Sequence, residues 1–365
     1  MTSPETFGPL LRLWGLKRAQ LPPLTATPDE LTPFLTSLLS EAIPFIDSAS
    51  PRSPPAPAAS TPPPPSPWKL KSTKSFPTSA APVRLLERRV PASALAAAAS
   101  TRGSRPRPHV RDETWACRVS LHSDAAADGT ASWREFRRAL KEAHVETEDA
   151  FTPSVVAARR ALTWDSAAAA AVPAVEVGGR KWGGFTLGVA EMRHKVGRPV
   201  LKDRVFPVLQ MTAAVLDGEG REAGEFVVVS VTVEDFGEAA EAEHCKGGNA
   251  VVASYASVER VRKTVGGEIE WVMATASDAK GNLPAWVQRP AVPGQIAKDV
   301  GLFLGWMAKE RRKGVAAAGE GSEDGRGEGR RVVEGTGDGE LGTVVAPEQK
   351  ALREGMGAGG GAVLQ

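Results

Sequence analysis

The chain has 365 residues, a formal net charge of +2, two cysteines and 29 prolines, enough length for one large domain or two small ones. Cys117 and Cys245 are too few for a disulfide framework or a structural zinc site and fit a reducing compartment. No apolar run reaches the roughly 18 residues of a membrane-spanning helix, and the basic residues of "MTSPETFGPLLRLWGLKRAQLPPL" follow the apolar ones, the reverse of a signal peptide, so a soluble cytoplasmic protein is expected.

In chain order, residues 1–50 come first, and "DELTPFLTSLLSEAIPFI" at 29–46 makes them one or two short amphipathic helices, suited to packing on a domain or touching a membrane. Residues 51–67, "PRSPPAPAASTPPPPSP", lack backbone donors and an apolar face, which defines a linker. The folded domain is expected over 68–313. "ETWACRVSL" at 113–121 is a strand. Ser132 and Glu135 form a capping box, and Trp133, Phe136, Leu140 and Ala143 then recur at helical spacing through residue 151. An Ala-rich stretch at 154–172 precedes strands at 181–196, 204–216, 225–233, 253–263 and 268–277. Their short turns join antiparallel neighbours. A last helix over about 294–313 carries Ile296, Val300, Phe303 and Met307 on one stripe, with Gly314 as its C-cap. The Gly- and Glu-rich tail, 314–365, is expected to be disordered. It holds 9 acidic and 5 basic residues, leaving +6 on the rest. That is mild, and with only "KERRK" at 309–313 no nucleic-acid partner is expected. The order of elements predicts an α+β fold: a curved antiparallel sheet with one long C-terminal helix laid against it.

Catalytic motifs are missing. There is no Walker A loop and no nucleophile elbow, and the Gly-x-Gly runs near 319–330 follow no strand. His144 and Glu148, four apart, make two ligands at most and read as a pair on a solvated helix face. Ser277 and Asp278 lack a histidine base and read as turn chemistry, with Asp278 and Asn282 capping, Gly281 supplying a positive φ and Pro284 ending the strand. No catalytic residue, metal or cofactor is assigned. Polar residues inside strands are more informative: Arg204, Tyr255, Ser257, Glu259 and Arg262. Alternation places Tyr255, Ser257, Glu259 and Val261 on one face, and Ala256, Val258, Arg260 and Arg262 on the other. The sequence leaves open which face points inward. A buried Glu259 would need a partner such as Arg204 or a ligand's head group.

The run "SDAKGNLPAWVQ" (277–288), ending a strand and leading into the terminal helix, resembles the turn before the last helix of START lipid-transfer domains, where an Asp-x-x-Gly-x-x-Pro pattern recurs. "WACRVSLH" (115–122), "SWREFRRALKEAHVETEDAF" (132–151), "EMRHKVGRPVLKDRVFPVL" (191–209), "SYASVERVR" (254–262), "EWVMATASDAKGNLP" (270–284) and "IAKDVGLFLGWM" (296–307) together resemble a largely fungal family of the START-like superfamily without established activity. The resemblance covers roughly 70–313. It implies the helix-grip fold, a sheet wrapped around the C-terminal helix with an internal apolar cavity, in a superfamily that binds sterols, phospholipids, ceramides or polyketides, a minority being cyclases or hydrolases. The expected function is non-catalytic binding of a lipid or other hydrophobic small molecule by a monomer, with a transient membrane contact through "LFLGWMAKERRK". The expected walls are Trp271 and Met273 before the turn, with Trp286, Val300, Phe303 and Met307 after it, and Arg204, Tyr255, Ser257 and Glu259 supply the polar groups. Two alternatives stand: an enzyme of the same fold using Arg204, Glu259 or His194 in acid–base roles, and an interaction module with a filled core.

Overall fold

A computed structural model describes residues 7–51, 66–100, 111–195, 202–246, 250–280 and 285–323, with side chains of the last segment described over 292–314. Most of the proline-rich linker, Gly281, Asn282 and Pro284 of the turn, the side chain of Trp286 and the tail beyond 323 lie outside the described residues.

Helix α1 spans Pro28–Ala49. Thr27 caps it in a capping box with Glu30, and Pro28 at its first turn already has the φ a helix needs. Leu31, Leu35, Leu38, Leu39, Ala42, Ile43 and Ile46, three and four apart, are fully buried. The strands and helices that follow are β1 (Lys69–Lys74), β2 (Val83–Val90), α2 (Ala92–Ser100), β3 (Glu113–His122), α3 (Trp133–Phe136), a π-helical turn (Arg137–Glu142), α4 (His144–Phe151), β4 (Val155–Thr163), α5 (Ser166–Ala170), β5 (Val175–Val177), β6 (Arg180–His194), β7 (Asp203–Leu216), β8 (Glu222–Thr232), β9 (Ala250–Val252), β10 (Ser254–Lys263), β11 (Ile269–Asp278) and α6 (Ala285–Glu323). They form one sheet in the order β1-β2-β3-β11-β10-β8-β7-β6-β4, with β5 on β6 and β9 on β7. The β7–β9 pair is parallel and the other named pairs are antiparallel.

Both faces of the sheet are covered. The outer face packs Trp115, Val229, Val258 and Val272 with the apolar stripe of α1. The inner face packs Phe226, Val261, Trp271 and Phe136 with Ile296, Val300, Phe303, Leu304 and Met307 of α6. The curved antiparallel sheet therefore grips the C-terminal helix, as the order of elements predicts, and α1 adds a further layer behind it. Polar groups tie α1 down: Arg260, with no exposed side-chain surface, pairs with Asp47 and Glu270, and Ser50 donates to Glu270 at 2.6 Å.

Two expectations are corrected, and a stretch the sequence left unassigned forms a strand. The helix over 132–151 is not continuous. Ala143 N–H bonds to Arg138 O at 3.0 Å, five residues back, and Ala143 leaves helical geometry with φ −125° and ψ 40° before α4 begins. Gly314 does not cap the last helix, whose backbone continues to Glu323. The Ala-rich stretch contains strand β4, paired with β6 along its length.

One contact fixes α6 against the sheet edge. The β1–β2 connection lies across Gly301 and Gly305, and Thr78 donates to Gly301 O at 2.6 Å. A Cβ at Gly301 would sit 2.9 Å from Phe76 Cβ, and one at Gly305 3.1 Å from Thr78 Cγ2. Only hydrogen at these positions permits so close an approach.

Candidate functional site

On β10 the set that faces α6 is Tyr255, Ser257, Glu259 and Val261, and the register shows what lies beside it. Arg118 of β3 is opposite Met273 of β11, Met273 is opposite Glu259 of β10, and Glu259 is opposite Val228 of β8. Arg118 and Glu259 thus share a face and flank one strand. Arg118, 2% exposed, donates from Nη2 to Glu259 Oε1 at 2.9 Å, and the Trp271 indole N–H donates to the same oxygen at 2.7 Å. The guanidinium carbon lies 3.8 Å from the Trp271 ring centroid, a cation–π contact in a site withdrawn from water. Nε and Nη1 of Arg118 are buried with no partner among the described residues.

The π-helical turn and α4 close the site from above. His144 Nδ1 is 2.9 Å from Leu140 O, so that nitrogen donates, while Nε2 faces Glu148 at 3.6 Å. The same Nδ1 lies 3.9 Å from Glu259 Oε2. Asp299 of α6 completes the ring. Arg118, Leu140, His144, Glu148, Phe151, Val228, Ser230, Tyr255, Ser257, Glu259, Trp271, Met273 and Asp299 enclose a space of about 20 Å³, the room of one water. Burial pushes Asp299 up to about 7; Arg118 opposes the shift and the carboxylates of Glu148 and Glu259 reinforce it. Burial also raises Glu148, against the pull of His144, and raises the Tyr255 phenol. The site thus holds a guanidinium among three carboxyl groups, two of which, Asp299 and Glu148, burial raises above the ordinary range.

The sequence-expected residues divide. Tyr255, Ser257, Glu259, Trp271 and Met273 line this space. Val300, Phe303 and Met307 face the same way but pack into the apolar core beside it. Arg204 does not approach Glu259. Its guanidinium donates to the carbonyls of Ala279, at 2.7 Å, and of Lys280 and Lys202, holding the end of β11. There Lys280 takes the positive φ, 48°, and Asp278 accepts from its N–H at 2.9 Å. His194 is also elsewhere, edge-on to Phe206 at 5.3 Å and drawn down to about 4 by burial. Arg204, Glu259 and His194 therefore do not form one acid–base group. The expected apolar cavity between helix and sheet is instead small and polar. His144 and Glu148 are turned inward rather than onto a solvated face, because the wide turn before α4 rotates that helix toward β10. The basic end of α6 is paired, Arg311 with Glu135 at 3.0 Å and Arg312 with Asp128 at 3.1 Å. Arg118 and Asp299 escaped the sequence reading, and His144 and Glu148 entered it only as a pair on a solvated helix face. Two of them carried a signal: Arg118 interrupts an apolar strand, and Asp299 interrupts the apolar stripe 292, 296, 303.

A second, larger pocket of about 190 Å³ lies on the far side of the π-helical turn, against β4, β6 and β7. A polar row crosses the sheet between them, Thr275–Ser257–Ser230–Gln210–Gly188, each opposite the next.

These features define a helix-grip α+β protein with a buried polar site beneath its C-terminal helix. Residues 115–307 match the family described as a protein of unknown function, DUF3074, and the chain belongs to that family. No curated protein matches it in sequence. Among solved structures it is similar to human STARD10 (TM-score 0.42, 10% identity, over 70% of this chain and 78% of that one). It is also similar to the human StarD13 lipid transfer and protein localization domain (0.40, 14%, 66% and 88%). A third is human StAR-related lipid transfer protein 5 (0.42, 12%, 76% and 96%).

Proposed function

We propose that the protein binds a lipid or another hydrophobic small molecule between the sheet and α6, without catalysis, and that the Arg118 cluster fixes the ligand's polar end. One observation carries this reading: a 2% exposed arginine, with two nitrogens unpartnered among the described residues, stands on the sheet face that packs against α6. A buried ion pair stabilises a fold no better than apolar residues of the same volume. Its presence here is explained when an oxygen of a ligand completes it. Phe151, Trp271, Met273 and Val228 around it provide apolar contact for the rest of the molecule, at about 25 cal/mol per Å² buried.

Anything larger than a water requires α6 to move away from the sheet. The helix is held near its middle by the Gly301 and Gly305 contact with the β1–β2 connection, and Arg204 holds the end of β11 that leads toward it. The test is mass spectrometry of organic extracts from protein purified out of its own host, beside the Arg118→Leu variant. An enriched amphipathic compound lost in the variant is expected; no enriched compound, together with no binding across a lipid panel, rules the reading out.

A further inference from the structure

The larger pocket lies apart from the Arg118 cluster, and its lining has a chemistry of its own. Its apolar surface comes from Val145, Leu162, Trp164 and Ala190, and at about 190 Å³ it exceeds the roughly 150 Å³ of an apolar cavity that holds one benzene ring. Gly188 stands opposite Gln210 in the β6–β7 pair, so no side chain fills the space beside that glutamine. A Cβ at Gly188 would already approach Leu162 O to 3.0 Å.

Gln210 is 8% exposed, and its amide, which looks onto this pocket, has no hydrogen-bond partner among the described residues. A carboxamide that faces an accessible pocket is left to water there, which a ligand able both to donate and to accept can displace. The neighbouring hydroxyls do not serve it, since Thr186 and Thr212 bond to each other at 2.8 Å. The charges at the rim are also taken: Lys141 pairs with Glu222 at 2.7 Å and Arg160 with Glu146 at 2.8 Å. Glu142, also on the lining, pairs with Arg137, so each charge there has a partner among the described residues.

We infer that this pocket is a second binding site, for an uncharged, ring-sized molecule with an amide-like edge that both donates to and accepts from the Gln210 carboxamide. Lactams, pyridones and aryl carboxamides belong to this class. A purely apolar ring leaves the amide unpaired, and a carboxylate offers two acceptors to a group that also needs a donor.

The test uses three probes of one ring size, benzamide, toluene and benzoate, titrated into the full chain and followed by the NMR resonances of the Gln210 side-chain amide and the Trp164 indole. Benzamide is expected to shift both and to bind about tenfold more tightly than toluene or benzoate, the worth of about one satisfied hydrogen bond. In Gln210→Leu the order of benzamide and toluene is expected to reverse. Absence of shifts at both resonances, equal binding of benzamide and toluene, or tighter binding of benzoate would overturn the assignment. The wild-type ranking decides the matter alone if the variant does not fold.

Discussion

Arg118 and Glu259 show how one residue pair both strains and organises this molecule. Each is nearly withdrawn from water, so removing one charge leaves the other unpaired, whereas removing both leaves neither charge of the pair buried. Glu259→Gln is therefore expected to lower unfolding stability by about 3–5 kcal/mol. The double variant Arg118→Leu, Glu259→Leu is expected to recover most of that loss in urea unfolding. Equal losses in the single and double variants would show that the pair is not coupled. Asp299 contributes a pH dependence of definite sign. Its folded pKa, about 7, lies above the ordinary 3.8, so the folded state binds the extra proton between those values. Stability from this group is therefore lost as pH rises through that window and constant above it. Asp299→Asn removes the loss, and its advantage over wild type is expected to grow from pH 5 to 7.5 in thermal unfolding at each pH. A pH-independent difference would place the titration elsewhere.

The elements differ in how clearly the chain announces them. Strands β3, β6, β7, β8, β10 and β11 were legible because β-branched and alternating residues fill them between short turns. Strand β1, "KLKSTK", was not, since it lies at the sheet edge with five of six positions exposed and carries no alternating apolar set. Strand β4 was hidden by alanines and arginines that either a helix or a strand accepts. The break at Ala143 was also invisible, because an extra residue in a helical turn leaves the apolar spacing almost unchanged. On α6 two effects of a Gly301→Ala change oppose each other. Alanine favours a helix over glycine by about 1 kcal/mol, but its Cβ meets Phe76 at 2.9 Å and displaces the Thr78 bond. Overpacking costs about 1–3 kcal/mol, so net destabilisation is expected. Circular dichroism melts of Gly301→Ala and of the nearby exposed Lys309→Ala separate the two effects; a stabilised Gly301→Ala would show that the β1–β2 connection yields freely.

At the scale of the whole molecule, α1 matters more than its place before a proline-rich linker suggests. Its stripe covers the outer sheet face, and Leu38 within it is fully buried. Leu38→Ala is expected to cost about 2–5 kcal/mol, and a chain beginning at Ser66 is expected to aggregate when expressed, as sedimentation would reveal. This second covered face also explains why the site was only half legible. Alternation separates the two faces of β10 correctly, but with both buried, polarity does not say which one looks toward α6. Glu259, Tyr255 and Ser257 could be named from sequence while Arg118, the partner of Glu259 and 141 positions from it, could not. The most direct test of ligand binding is a crystal structure of the full chain purified from its own host without delipidation. Elongated density between α6 and the sheet, ending within hydrogen-bonding distance of Arg118 Nε or Nη1, is the expected result. A closed interior holding no more than a water at that position would contradict it.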